Sequence, residues 1–290
     1  MQYLNYYQPF IQFNQDYFLL YYLPTSKGKH NNEKSKFNLK NKENYSNGQL
    51  SDNTRRKIKS KLSAYFTAIS DMPKSLIKKH EIQHTIITLT LPSTQVHSDN
   101  TIKRECLGRF IERAVYRYGI KFYYWVAEKQ HNNNIHFHIL TDKYIEWQWI
   151  RDTWNERLEK LNYISEFENK HGHRSPNSTD IEMIRNISNT SKYVAKYTTK
   201  IDQQGKIIGR LHGESDLLNK IGKFKHEFDS DFSIAVQQGL DLGFVNRLDL
   251  DAITLFKCDT RNFLKQHSKP LYEKWNEHNK SIFNSFYERV

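Results

Sequence analysis

Cysteine, methionine and proline are scarce in this 290-residue chain, with two Cys, three Met and six Pro. A pair of cysteines, Cys106 and Cys258, excludes a disulfide scaffold and a cysteine-rich zinc site, and it fits a reducing cytoplasm. No apolar run approaches the roughly 18 residues that a membrane span needs, and the mean hydropathy is −0.81. The first 25 residues are apolar in places (Tyr17-Phe18-Leu19-Leu20-Tyr21-Tyr22-Leu23). They lack a basic leader and a small-residue cleavage pattern, so they are not read as a signal peptide. No repeat of 20–50 residues occurs, and neither does Gly-x-x-x-x-Gly-Lys-Ser/Thr, the phosphate-cradling loop. No Ser-His-Asp or cysteine-nucleophile constellation is recognisable.

Positive charge and aromatic rings are abundant. Lys and Arg number 44 against 32 Asp and Glu, a net charge of +12 at neutral pH. That balance favours a polyanionic partner, because each phosphate contact releases a counterion. Aromatic residues make up 14% of the chain, including 18 Tyr and 17 Phe. Many belong to a core, but rings interleaved with cations also suit unpaired bases.

Residues 26–53 are rich in Lys, Asn, Ser, Glu and Gly and nearly free of aliphatic side chains, which reads as a mobile linker or tail. From Asp52 the chain turns basic and helical: Arg55, Arg56, Lys57, Lys59 and Lys61, then Leu62, Tyr65, Phe66 and Ile69 at helical spacing. Residues 85–92 alternate as a strand that Pro92 ends, with Ile87, Leu89 and Leu91 on one face and Thr88 and Thr90 on the other. Residues 100–118 form a helix buried along Leu107, Phe110, Ile111, Ala114 and Val115 and stopped by Gly119; Arg109, Arg113 and Arg117 make a basic stripe on another face.

Strands over 122–128 and 135–141 flank an Asn-rich loop and form a hairpin. A helix over 143–162 turns Trp147, Ile150, Trp154, Leu158 and Leu161 inward. A strand over 180–185 and a helix over 189–200 follow, and beyond residue 200 the periodicity is helical. The expected class is α+β, an antiparallel sheet covered by helices.

Side chains alternate faces along 135–141, so His136 and His138 point the same way, with Cα atoms roughly 6.6 Å apart. Ile135, Phe137 and Ile139 point into a core. A bare His-x-His is more often surface than ligand; Glu128, across the hairpin, changes that by offering a carboxylate as third ligand. His131, within the loop, is a weaker candidate. Two imidazoles and a carboxylate leave coordination positions open, and mixed nitrogen and oxygen ligands suit Mn²⁺ or Mg²⁺ acting on phosphate. Zinc accepts the same ligands.

Tyr193, Lys196, Tyr197 and Lys200 fall at i, i+3, i+4 and i+7, one face of a helix, while Ile187, Val194 and Ile201 fall on another. Tyrosines one turn apart are usually packing, but an ammonium stripe between them is poor core material. A tyrosine nucleophile, with a pKa of about 10, needs a polarised phosphate and a nearby cation. Lys196 offers that cation.

In this order the motifs resemble those of the HUH endonucleases, and within them the rolling-circle replication initiators of single-stranded DNA phages and small plasmids. Ile86-Ile87-Thr88-Leu89-Thr90-Leu91-Pro92 is similar to the family's first motif. Ile135-His136-Phe137-His138-Ile139-Leu140 is similar to its metal motif, with Glu128 where many members carry a carboxylate. Tyr193-Val194-Ala195-Lys196-Tyr197-Thr198-Thr199-Lys200 resembles its nucleophile motif in the two-tyrosine form. Gly209-Arg210-Leu211-His212-Gly213-Glu214-Ser215 resembles a segment that often follows, where an aromatic is commoner than His212.

The resemblance covers roughly residues 54–218. It implies an HUH endonuclease domain there, a palm-like antiparallel sheet with flanking helices, between an N-terminal extension (1–53, partly flexible) and a helical C-terminal region (219–290). It implies nicking and joining of single-stranded or hairpin DNA at a replication origin in a bacterial cytoplasm. His136, His138 and Glu128 would hold the metal, and Tyr193 and Tyr197 would be the nucleophiles with Lys196 as helper. With no phosphate loop, unwinding falls to a host helicase, and synthesis to a DNA polymerase. A transposase or relaxase of the same superfamily is the nearest alternative; relaxases usually carry three metal histidines and place the tyrosine near the N-terminus. A catalytically silent DNA-binding regulator is another, and a metal hydrolase acting through water would need no tyrosine.

Overall fold

In the computed structural model the described residues are 7–13, 17–24, 48, 50–70, 72–184, 206–221, 224–250 and 253–288. The tyrosine stretch 193–200, with Tyr193, Lys196 and Tyr197, lies outside them, as does most of the polar stretch 26–53.

The chain runs through β1 (Tyr7–Phe13), β2 (Tyr17–Pro24), α1 (Asp52–Ser70), α2 (Lys74–Lys79) and β3 (Thr85–Leu89). Next come α3 (Asp99–Ile102), a π-helical segment (Lys103–Gly108), α4 (Arg109–Tyr118) and the hairpin β4 (Tyr123–Lys129) and β5 (Ile135–Thr141). Then follow α5 (Trp147–Glu159), α6 (Tyr163–His171), β6 (Thr179–Met183), β7 (His212–Glu214) and α7 (Asp216–Lys220). The last elements are β8 (Lys225–Glu227), α8 (Ser230–Asp241), β9 (Asn246–Leu250), β10 (Ile253–Lys257), α9 (Thr260–His267) and α10 (Lys269–Tyr287). The class is α+β with two antiparallel sheets, as the alternating and helical periodicities required.

Two compact units divide the chain, one within residues 46–62 and 69–219 and one within 1–45, 63–68 and 220–290. The first holds a five-stranded sheet in the order β6-β3-β5-β4-β7. One face is apolar: Ile87, Phe137 and Ile139 meet Phe110, Ile111 and Ala114 of α4 and Trp154 of α5. Trp154 is fully buried, and its indole N–H donates to the Thr90 carbonyl at 2.8 Å. Gly119 stops α4 with φ +62°, a left-handed conformation that costs glycine little. Gly213 has another reason: a Cβ there would sit 2.4 Å from Nε1 of Trp125, its cross-strand partner.

Several boundaries and faces differ from the sequence reading. The helix expected over 100–118 is interrupted by the π-helical turn, one inserted residue that apolar spacing does not register. The helix expected over 143–162 is shorter, and Trp147 at its start is half exposed rather than inward. Its ring is instead covered by the Arg151 guanidinium at 4.9 Å. The basic stripe on α4 is neutralised in part, Arg109 by Glu112 at 2.9 Å and Arg113 by Glu156 at 2.6 Å.

His84, just before β3, is buried, and burial pulls its imidazole down to about 4. Its folded pKa lies below the unfolded value of about 6.5, so the unfolded chain binds the extra proton between those limits. That contribution to stability is complete above about pH 6.5 and falls by on the order of 3 kcal/mol as the pH drops to about 4. Urea unfolding across that window is expected to show the decline, and His84→Phe to flatten it. An equal slope in the variant would assign the loss to other groups.

The second unit builds a five-stranded sheet from both ends of the chain, in the order β8-β1-β2-β10-β9. Its core gathers Ile11, Phe13 and Phe18 with Phe232, Phe256, Phe263, Leu264 and Trp275. The C-terminal region ends in α9 and α10 as its helical periodicity indicated. It also supplies β8, β9 and β10, short strands that the periodicity did not reveal.

Candidate metal centre

The strand register assembles the site. Glu128 of β4 is the direct cross-strand partner of His136 on β5, and Val126 and Thr88 flank His138 from β4 and β3. Paired residues of an antiparallel sheet share a face, so Thr88, Glu128, His136 and His138 all lie on the face away from α4 and α5. Ile135, Phe137 and Ile139 point to the other face and are buried there. The loop that sets this register closes with Gln130 N donating to the Asn134 carbonyl at 2.9 Å and Asn133 in the left-handed region at φ +64°.

His136 Nε2 lies 3.0 Å from Glu128 Oε2, and His138 Nε2 lies 3.5 Å from the same oxygen. One ligand atom from each residue falls within 4.8 Å of the others, so Glu128, His136 and His138 form a group that could hold a metal ion. His131 is not part of it. Burial pushes the Glu128 carboxyl up, but hydrogen bonds and charge from His136 and His138 outweigh it and hold it at about 2. The carboxylate is therefore charged at neutral pH, as a ligand must be. Glu128 Oε1 and His136 Nδ1 are buried without a hydrogen-bond partner among the described residues. Buried polar atoms are costly to leave unpaired, and a cation shared by this set would occupy the carboxylate's lone pairs. The residues fit a divalent ion.

Thr88 is a further member that the sequence reading placed on the right face without a role. Its Oγ1 lies 3.0 Å from His138 Nδ1, which directs Nε2 toward Glu128. Partners of this kind fix the tautomer and ring angle of a metal-binding histidine. Thr88→Val is expected to weaken divalent-metal affinity roughly 10- to 100-fold while the thermal midpoint barely moves; metal titration by calorimetry checks it. Unchanged affinity would show that His138 needs no such partner.

A buried ion pair lies at the end of β4. Lys129 Nζ is 2.8 Å from Asp99 Oδ1, and Gln95 bonds Asp99 at 2.7 Å and the Ile135 amide at 2.7 Å. Asp99 Oδ2 accepts from the Ile208 amide at 2.9 Å, and Lys103, opening the π-helical segment, donates to the Arg210 carbonyl at 2.9 Å. Burial pushes the Asp99 carboxyl up, but the bonds from Lys129, Gln95 and Ile208 outweigh it and hold it below its ordinary value. This network ties both ends of the hairpin loop and the segment after the tyrosine stretch to one helix start. No sequence pattern announced it, because its members are up to 109 residues apart.

His212 of β7 also faces this side, one strand beyond Val126, and burial holds its imidazole below the ordinary range. Next to it on that face, Glu214 accepts from Lys61 of α1 at 2.5 Å. The lysine expected on a DNA-contacting helix is thus engaged by a carboxylate, whereas Arg56, Lys57 and Lys59 are exposed.

Residues 84–202 match the family model of the replication-associated protein ORF2. The matched segment contains Thr88, Glu128, His136 and His138 and continues through the tyrosine stretch. Among solved structures the chain is similar to the crystal structure of the hypothetical protein ORF119 from Sulfolobus islandicus rod-shaped virus 1. The two are 20% identical over 46% of this chain and 97% of that one, with a TM-score of 0.26. No curated protein matches the chain. No described helix is long and apolar enough to cross a membrane.

Proposed function

We propose that the protein is a rolling-circle replication initiator of the HUH endonuclease kind, which nicks and rejoins single-stranded DNA through a 5′-phosphotyrosine link. The observation that carries this reading is the Glu128, His136 and His138 group, set on one sheet face inside the segment that matches a replication-associated family. Charge agrees with it: residues 46–219 carry 27 Lys and Arg against 19 Asp and Glu.

A divalent ion held by Glu128, His136 and His138, Mn²⁺ or Mg²⁺ by the chemistry of the ligands, supplies Lewis acidity at a phosphate oxygen. Tyr193 provides the nucleophile: its phenol oxygen attacks phosphorus, the bond from phosphorus to the 3′ oxygen breaks, and that oxygen takes up the proton the phenol gave away. One ester bond replaces another, so no water and no energy source is consumed. The products are a 5′-phosphotyrosine and a free 3′-OH that primes a host polymerase, with a host helicase opening the duplex. Lys196, at the intervening turn of the same helix face, offers positive charge to the phenolate and the crowded phosphate. After one round Tyr197 attacks the regenerated junction, and the 3′-OH released there displaces Tyr193 to close the circle. The expected setting is the cytoplasm of a bacterial host and the partner an origin in single-stranded or hairpin form.

Incubation with a library of single-stranded oligonucleotides and Mn²⁺ tests this. The expected product is a protein–DNA adduct that survives SDS. Cleavage without any adduct would make water the nucleophile and overturn the tyrosine mechanism.

A further inference from the structure

The unit formed by residues 7–24 and 225–287 has no part in the proposed chemistry, and its sheet ends in an edge strand, β9. Unpaired edges invite another strand, and proteins normally blunt them. Asn246, Arg247, Leu248 and Asp249 are all exposed. Apolar side chains cluster around that edge: Leu242 and Phe244 are 62% exposed and Leu248 48%, all within seven residues, and Ile234 on α8 is 60% exposed. Residues 220–290 carry 11 Lys and Arg against 10 Asp and Glu. This part is nearly neutral, unlike the basic remainder, so its surface is suited to protein and not to a polyanion.

The order of charges selects the occupant. Arg247 and Asp249 sit on one face of β9 on either side of Leu248, and within one copy they bond each other at 3.0 Å. An identical strand laid antiparallel and centred on Leu248 places Arg247 opposite Asp249 of the second copy, and Asp249 opposite its Arg247. Leu248 then meets Leu248 on the other face. A parallel copy in register would set like charges opposite each other, which destabilises a strand pair. The edge is thus guarded against strands of other charge order and open to itself by a two-fold axis.

We infer that β9 is a self-association edge through which two copies of this chain join their five-stranded sheets. Size-exclusion chromatography with light scattering on the full chain is expected to give twice the 34.8 kDa of one copy at micromolar concentration. Arg247→Asp and Asp249→Arg are each expected to run at the mass of one copy, because each sets like charges opposite. An equimolar mixture of the two is expected to recover the doubled mass, since the sets then complement, and the double exchange Arg247→Asp/Asp249→Arg to recover it alone. Both recoveries need folded protein, so they separate lost pairing from lost structure. Wild type at the mass of one copy throughout, single variants that still pair, or a mixture and double exchange that both stay single would each overturn the inference.

Discussion

A Tyr193→Phe/Tyr197→Phe double variant is expected to form no SDS-resistant adduct and to lose strand cleavage by on the order of 10³-fold or more, as removal of a nucleophile does elsewhere. Phenylalanine keeps the ring and its packing and removes only the hydroxyl, so DNA binding should persist. The single variants separate the two roles. Tyr193→Phe is expected to block the first nick. Tyr197→Phe is expected to permit one nick and one adduct but to stop the transfer that closes a circle. Labelled oligonucleotide on a denaturing gel reads all three. Equal cleavage by wild type and the double variant would end the tyrosine reading while leaving a metal hydrolase standing.

His136→Ala is expected to abolish metal binding and cleavage together. It removes a ligand, so its cost should exceed the roughly 10- to 100-fold loss that follows removal of an outer partner. It also takes away the nitrogen 3.0 Å from Glu128 Oε2, leaving a largely buried carboxylate with less compensation. A loss of stability of about 1–3 kcal/mol is the expected accompaniment. Calorimetric titration with Mn²⁺ measures the first effect and oligonucleotide cleavage the second. Binding to single-stranded DNA should stay close to wild type, because the basic residues are untouched. Unchanged metal affinity in His136→Ala would remove the site, and intact metal binding with lost DNA binding would reassign His136 to the nucleic acid.

Legibility varied with the distance over which each feature is decided. Two-residue alternation in Ile135–Thr141 placed His136 and His138 on one face. The Asn-rich loop of a hairpin placed Glu128 across from them, and the register pairs Glu128 with His136. These follow from local rules, a strand's period and a short turn, and neither depends on the rest of the chain. The inward faces of α1 and α5 were legible for the same reason at Leu62, Tyr65, Ile150, Trp154 and Leu158, all buried. Trp147 broke the pattern because it stands at a helix start, where the packed layer ends and a cation covers the ring instead.

By itself, then, the sequence determined the α+β class, the faces of the strands and helices, and the three residues that could share a metal, because periodicity and turn chemistry act within about ten residues. Only the tertiary structure decided that β3 lies beside β5, so that Thr88 reaches His138. It also decided that Asp99 and Lys129 close a buried pair, and that β1 and β2 join strands more than 200 residues away in the second sheet. Strand order and buried ion pairs are settled by which arrangement covers the most apolar surface while leaving the fewest polar groups unpaired. That is a property of the whole chain and is written in no single segment of it.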